Sequence, residues 1–118
     1  MQKLAKDLID FNFNNQSGLE FGYDTVHLFV SPLFVEPIKQ LMQKKIKSIS
    51  CGSGKERYIL PGITCEYDSL NDENKEIVKT LLISKTEFRI GCPIFDDTTS
   101  EEFTNNLIKT INKLVENK

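Results

Sequence analysis

The chain has no tryptophan, one histidine and three cysteines. A disulfide framework needs several cysteines that can all pair, and a zinc site needs closely spaced ones. Cys51, Cys65 and Cys92 satisfy neither condition. With His27 as the only histidine, acid–base chemistry near neutral pH would require that residue or a carboxyl group with a shifted pKa. The sequence therefore predicts no metal, no cofactor and no catalytic centre of a recognisable type.

Long apolar stretches are also missing. No run approaches the roughly 20 residues that span a bilayer. Residues 1–7 mix charged and apolar side chains where a secretory signal would be continuously hydrophobic. We therefore expect a cytoplasmic protein that makes no contact with a membrane. With 118 residues, of which 39% are hydrophobic and 27% charged, the sequence predicts a single domain over residues 1–118 built around one core.

A nucleotide-binding loop is absent as well. The segment 51–55 reads Cys-Gly-Ser-Gly-Lys, and its glycines would let backbone N–H groups approach an anion. A P-loop also needs an earlier glycine, where Ile49 stands, and a hydroxyl residue after the lysine, where Glu56 stands. We expect this segment to be a helix-to-strand connection that exposes Cys51.

Hydrophobic periodicity predicts alternating helices and strands. Helical spacing covers residues 3–11, a segment that starts at Pro37, a segment capped by Ser69 or Asn71, and a last helix after an N-cap region at 97–102, while β-rich segments occupy 25–30, 56–60, 63–68 and 86–95. The central elements follow the order βαββαβ. This order predicts an α+β fold with a ferredoxin-like antiparallel sheet of about four strands, flanked by additional N- and C-terminal helices.

The same order of elements occurs in RNA-recognition modules, which carry base-stacking aromatic residues on their central strands. The corresponding strand here contains one aromatic residue, Tyr67, and two carboxylates, Glu66 and Asp68. These carboxylates would repel phosphate, and a net charge of −2 with a pI near 5.4 indicates no overall basic character. We expect no direct contact with nucleic acid.

Acidic side chains concentrate in two stretches of the sequence. Many of them precede or begin a predicted helix, where the helix dipole favours negative charge. If the fold brings the two stretches together, they form an acidic surface that suits a basic protein partner, because complementary charge accelerates association and excludes wrong partners. The residues predicted to bind a partner are Glu66, Asp68, Asp72, Glu73, Asp96, Asp97, Glu101 and Glu102.

Three functional hypotheses follow. The first is a non-enzymatic protein-binding inhibitor, in its most specific form an immunity-type protein that neutralises a bacterial nuclease-like toxin through the acidic surface. The second is a ligand-sensing or regulatory domain whose ferredoxin-like sheet pairs into a homodimer. The third is a small enzyme that uses His27 with a cysteine or a carboxylate. The lack of a catalytic motif favours the first hypothesis, and we expect that the chain is not an enzyme.

Overall fold

The structure is a computed structural model that describes residues 3–9, 26, 30–53 and 60–117. Its elements are the helix α1 (Ala5–Leu8), the helix α2 (Pro32–Gln43), the strands β1 (Ser48–Gly52) and β2 (Gly62–Glu66), the helix α3 (Asp72–Val78), a short 3₁₀ helix (Lys79–Leu81), the strand β3 (Glu87–Gly91) and the helix α4 (Ser100–Ile111). Helices and antiparallel strands occur in one chain, which confirms the predicted α+β class.

The three described strands form one antiparallel sheet in the order β1-β2-β3. Four strands in ferredoxin-like order are not confirmed by these residues. In that order a helix carries the chain across to a parallel strand, whereas β2 and β3 are antiparallel neighbours with Glu66 opposite Glu87. The chain therefore leaves β2 and enters β3 at the same end of the sheet. Because α3 has seven residues, it is only about 10 Å long and makes a local excursion instead of a crossover.

The helix α2 begins earlier than the sequence predicts. Ser31 is its N-cap, with its hydroxyl accepting the N–H of Leu33 at 3.3 Å. Proline at the first helical position, Pro32, costs no hydrogen bond. Pro37, which was expected to open the helix, lies inside it. Since Pro37 has no N–H to donate, the carbonyl of Leu33 instead accepts the Thr104 hydroxyl at 2.9 Å.

The same helix also ends earlier than predicted. Lys45 adopts a left-handed conformation with φ 61°, and the backbone forms a Schellman motif. The N–H of Lys45 donates to the carbonyl of Met42, and the N–H of Ile46 donates to the carbonyl of Leu41, both at 3.0 Å. Ile46 and Leu41 are buried together against this turn. Glycine is the usual residue at such a helix end, so the lysine did not indicate in the sequence that the helix ends here.

The strand β1 occupies residues that were expected to be helix and loop. It pairs with β2, and Cys51 lies opposite Ile63. Cys51 is therefore buried, which corrects its predicted exposure. The strand expected at 56–60 lies mostly outside the described residues, and Leu60 is not in a strand.

Three further predictions concern element ends. The strand expected at 25–30 lies largely outside the described residues; of its two described members, Val26 is helical and Val30 lies in a bend. The predicted first helix shortens to α1. The helix after Asn71 ends at Val78, and Leu82, which was expected to be buried, is 39% exposed.

The predicted buried faces are confirmed for the central strands and the last helix. The alternating side chains of β2 and β3 lie in the core, and the α4 stripe packs on α2 through the Phe34 and Phe103 rings, whose centroids are 5.8 Å apart in an edge-to-face arrangement. The confirmed core residues are Ile63, Cys65, Phe88, Ile90, Phe103, Leu107, Ile111 and Leu114. None of the helices in the described ranges has the length and hydrophobicity that a membrane crossing requires.

Candidate protein-binding surfaces

The eight carboxylates predicted to bind a partner lie at two opposite ends of the sheet. Four of them, the β2 corner, are Glu66 at the end of β2, Asp68 in the following turn, and Asp72 and Glu73 in the first turn of α3. The other four, the α4 end, are Asp96, Asp97, Glu101 and Glu102, which follow β3. Because β2 and β3 are antiparallel, the segments that follow them leave from opposite ends.

The C-terminal segment gives an independent measure of this separation. The N–H of Asn71, the N-cap of α3, donates to the Oδ1 of Asn117 at 2.6 Å. The β2 corner therefore lies near the C-terminal end of α4, whereas Glu101 and Glu102 lie in its first turn. A helix of 12 residues is about 18 Å long. The structure thus brings each group of four together but does not join the two groups on one surface.

Lysines lie among the carboxylates of the β2 corner. The N–H of Glu66 donates to the carbonyl of Lys47 at 3.0 Å. The N–H of Asn117, which also contacts Asn71, donates to the carbonyl of Lys44 at 2.7 Å. The ammonium of Lys75 lies 5.4 Å from the centre of the Tyr67 ring. The backbone of Lys47 and the side chain of Lys75 therefore lie at this corner.

Among the described residues, the four carboxylates of the α4 end lie near two lysines, Lys3 and Lys6. Lys6 approaches Asp96 at 3.8 Å, but the Asp96 side chain is fully exposed to solvent. Thr99 is the N-cap of α4: its hydroxyl accepts the N–H of Glu102 at 3.1 Å and donates to the Glu102 carboxylate at 3.1 Å. Asp97 and Glu101 are also exposed. This end therefore presents a local excess of negative charge.

An exposed aromatic residue, Phe95, precedes these carboxylates. Phe95 is 65% exposed, a larger fraction than any other large hydrophobic residue in the described part of the chain. Its N–H donates to the Thr98 hydroxyl at 2.9 Å, and its carbonyl accepts the N–H of Thr98 at 3.1 Å. Thr98 is buried, and its carbonyl accepts the N–H of Ala5 at 2.9 Å. The Phe95 turn (95–98) is thus held against the N-terminal segment. Sequence reasoning missed it, although an apolar side chain directly before Asp96 was a visible signal.

A second surface feature lies on the outer face of the sheet. The Nε of Arg89 donates to the carbonyl of Leu60 at 2.7 Å, its Nη1 to the Thr64 hydroxyl at 2.6 Å and its Nη2 to the carbonyl of Gly52 at 3.2 Å. Burial lowers the pKa of the Arg89 guanidinium from its ordinary value. Beside it lies a shallow groove of about 230 Å³, lined by Arg89, Gly91, Leu60 and residues 80–83. This volume is below that of most small-molecule sites, and the three bonds make Arg89 a cross-link between strands.

Two of the three thiols, those of Cys65 and Cys92, offer little nucleophilic chemistry. Burial raises the pKa of Cys65 to about 12, and it also raises the pKa of the half-buried Cys92. A thiol that stays protonated is a poor nucleophile. Their proposed partner His27 lies outside the described residues. Within the part of the chain that the structure describes, no three histidine, cysteine or carboxylate side chains are placed to hold a metal ion.

No family model, no curated protein and no solved structure matches this chain. The function of this chain therefore has to be inferred from the surfaces described above.

Proposed function

We propose that the chain is a non-enzymatic inhibitor that binds a basic protein through the α4 end. The observation that carries this proposal is the concentration of exposed carboxylates there, where Asp96 and Asp97 adjoin Glu101 and Glu102. Within the described residues, the two nearby lysines, Lys3 and Lys6, leave this end with a net negative charge. Complementary charge would steer a basic partner to this end and raise the association rate.

The most specific form of the proposal is an immunity-type protein that acts in the cytoplasm against a nuclease-like toxin. Enzymes that cut nucleic acid carry basic surfaces, since their substrate is a chain of phosphates. An acidic inhibitor can therefore occupy the substrate-binding face of such an enzyme. The high pKa of the Cys65 and Cys92 thiols agrees with a function that requires no nucleophile.

A capture experiment with matched variants tests the proposal. The intact chain, the double variant Asp96→Asn/Asp97→Asn and the double variant Asp72→Asn/Glu73→Gln serve as baits for an extract of the native cell at low salt. Each variant removes two negative charges, but only the first removes them from the α4 end. We expect a basic protein that the wild type and the second variant retain and that the first variant loses.

The captured protein is then expressed in a test bacterium with and without the chain. Growth arrest that the chain relieves would support the immunity-type form. Equal retention by all three baits would contradict binding through the α4 end. A chain that retains no partner and remains a dimer on dilution would instead favour the regulatory homodimer.

A further inference from the structure

The Phe95 turn combines an exposed aromatic ring with an ordered backbone. Phe95 is 65% exposed, and two hydrogen bonds to Thr98, at 2.9 and 3.1 Å, fix the turn that carries it. Thr98 is itself buried, and the segment 98–100 contacts the N-terminal segment through Ala5 N–H to Thr98 carbonyl (2.9 Å) and Ser100 N–H to Lys3 carbonyl (2.8 Å). The ring therefore belongs to a turn whose backbone is hydrogen-bonded, through Thr98, to the N-terminal segment.

Such a residue has the properties of an interface anchor. Aromatic side chains contribute most to binding when they fill a desolvated pocket near the centre of an interface. A backbone that is already ordered loses little conformational entropy when the partner binds. Asp96 and Asp97 directly follow the ring and are exposed, so they would lie at the rim of the contact, where their charge would attract a basic partner.

We propose that Phe95 is the anchor of a protein interface and inserts into an apolar pocket whose rim carries lysine or arginine side chains. This inference rests on the proposed function and names the chemistry of the partner at the same surface. Apolar contact with the ring and the charge of the two aspartates would both contribute to the affinity.

A random-peptide phage library selected on the intact chain provides a defined probe. We expect the enriched peptides to combine an aliphatic or aromatic residue with lysine or arginine. Binding of the synthesised peptides should weaken about tenfold or more in Phe95→Ser. Leu82→Ser is the matched control, because Leu82 is also an exposed hydrophobic residue, at 39%, but lines the groove beside Arg89. Its peptide affinity should equal that of the wild type.

The outcomes separate this inference from the proposed function. Peptides that bind the wild type and Phe95→Ser equally, or a selection that enriches no peptide, would overturn the anchor. If such peptides still bind Asp96→Asn/Asp97→Asn more weakly than they bind the wild type, the acidic surface would be supported and the anchor would not. Peptides that depend on Phe95 but not on the two aspartates would support the anchor and contradict the acidic surface. Since Phe95 is exposed, an unchanged melting temperature of Phe95→Ser would exclude misfolding, and Phe95→Leu should retain part of the affinity.

Discussion

Asn74 makes two reciprocal hydrogen bonds with the backbone of Val115. Its Nδ2 donates to the Val115 carbonyl at 2.9 Å, and its Oδ1 accepts the Val115 N–H at 2.9 Å. The Asn74 side chain is fully buried. Its amide pairs with the backbone of Val115 in the way that a neighbouring strand would. Close by, Lys44 Nζ donates to the carbonyls of Ile111 at 2.8 Å and Leu114 at 2.6 Å, the last turn of α4 and the residues after it. The C-terminal segment is thus part of the folded structure.

The first prediction concerns this contact. Asn74→Ala leaves the N–H and carbonyl of Val115 without their partner in a partly buried place, and each unsatisfied group costs about 1–3 kcal/mol when water cannot reach it. We expect the free energy of unfolding to fall by about 2–4 kcal/mol, as measured by urea denaturation. Asn105→Ala, at an exposed position of α4, should change it by less than about 0.5 kcal/mol. Equal effects of the two substitutions would show that the Val115 contact is not stabilising.

The second prediction concerns two like charges on the outer face of the sheet. Glu66 and Glu87 are directly opposite each other in the β2–β3 ladder, and like charges at such positions repel. Glu87→Gln should therefore stabilise the protein by about 0.2–1 kcal/mol at low salt. The gain should shrink near 1 M salt, where the screening length is about 3 Å. A gain that does not depend on salt would point to a cause other than repulsion.

The third prediction concerns the end of α2. Lys45 has φ 61°, which is unfavourable for residues with a Cβ atom and neutral for glycine. Lys45→Gly should raise the free energy of unfolding by about 0.5–1 kcal/mol, because the relief of strain exceeds the entropy that glycine loses on folding. The exposed ion pair with Glu116, at 3.2 Å, is expected to contribute little. Lys45→Ala removes the same ion pair but keeps the Cβ atom, so a matching gain in that control would rule out strain.

The fourth prediction concerns pH. The pKa of the Cys65 thiol is about 12 in the folded protein and 9.0 in an unperturbed thiol, mainly because burial disfavours the thiolate. Between these values the folded chain keeps a proton that the unfolded chain has lost. The contribution of this group to stability is therefore fully present below about pH 9. Above that pH the free energy of unfolding falls as the pH rises, by at most about 1.4 kcal/mol per pH unit from this group. The free energy of unfolding, measured by denaturation at a series of pH values, should fall more steeply with pH in the wild type than in Cys65→Ala, and only above about pH 9. The same dependence on pH in both proteins would contradict the raised pKa of Cys65.

Patterns within a few residues predicted a substantial part of the fold. Alternation along β2 and β3 identified their buried faces, since side chains of a strand point to opposite sides in turn. Sequence patterns placed the N-cap of α3 at Ser69 or Asn71 and that of α4 within 97–102, because an N-cap uses a side chain adjacent to its own helix. In the structure the N-caps are Asn71 and Thr99. The end of α2 was not visible, because Lys45 adopts a conformation that its residue type does not indicate. The strand β1 was consequently predicted to be helix and loop.

The arrangement of the candidate surfaces could not be predicted either, because it depends on contacts between residues that are far apart in the sequence. The sequence identified eight carboxylates, but their division between the β2 corner and the α4 end depends on the pairing of Glu66 with Glu87. The exposure of Phe95 depends on Thr98 being buried and bound to Ala5, a residue from the other end of the chain. Neither relationship can be derived from neighbouring residues.

The amino-acid sequence by itself determined the α+β composition, the inward faces of β2, β3 and α4, and the starts of α3 and α4. Only the tertiary structure decided that β3 returns beside β2, that the acidic residues form two separate surfaces and that Phe95 projects next to one of them. The physical reason is that hydrophobic periodicity and capping act within one or two turns of chain. The direction of a strand and the neighbours of a surface side chain depend on contacts such as that of Asn74 with Val115, between residues far apart in sequence.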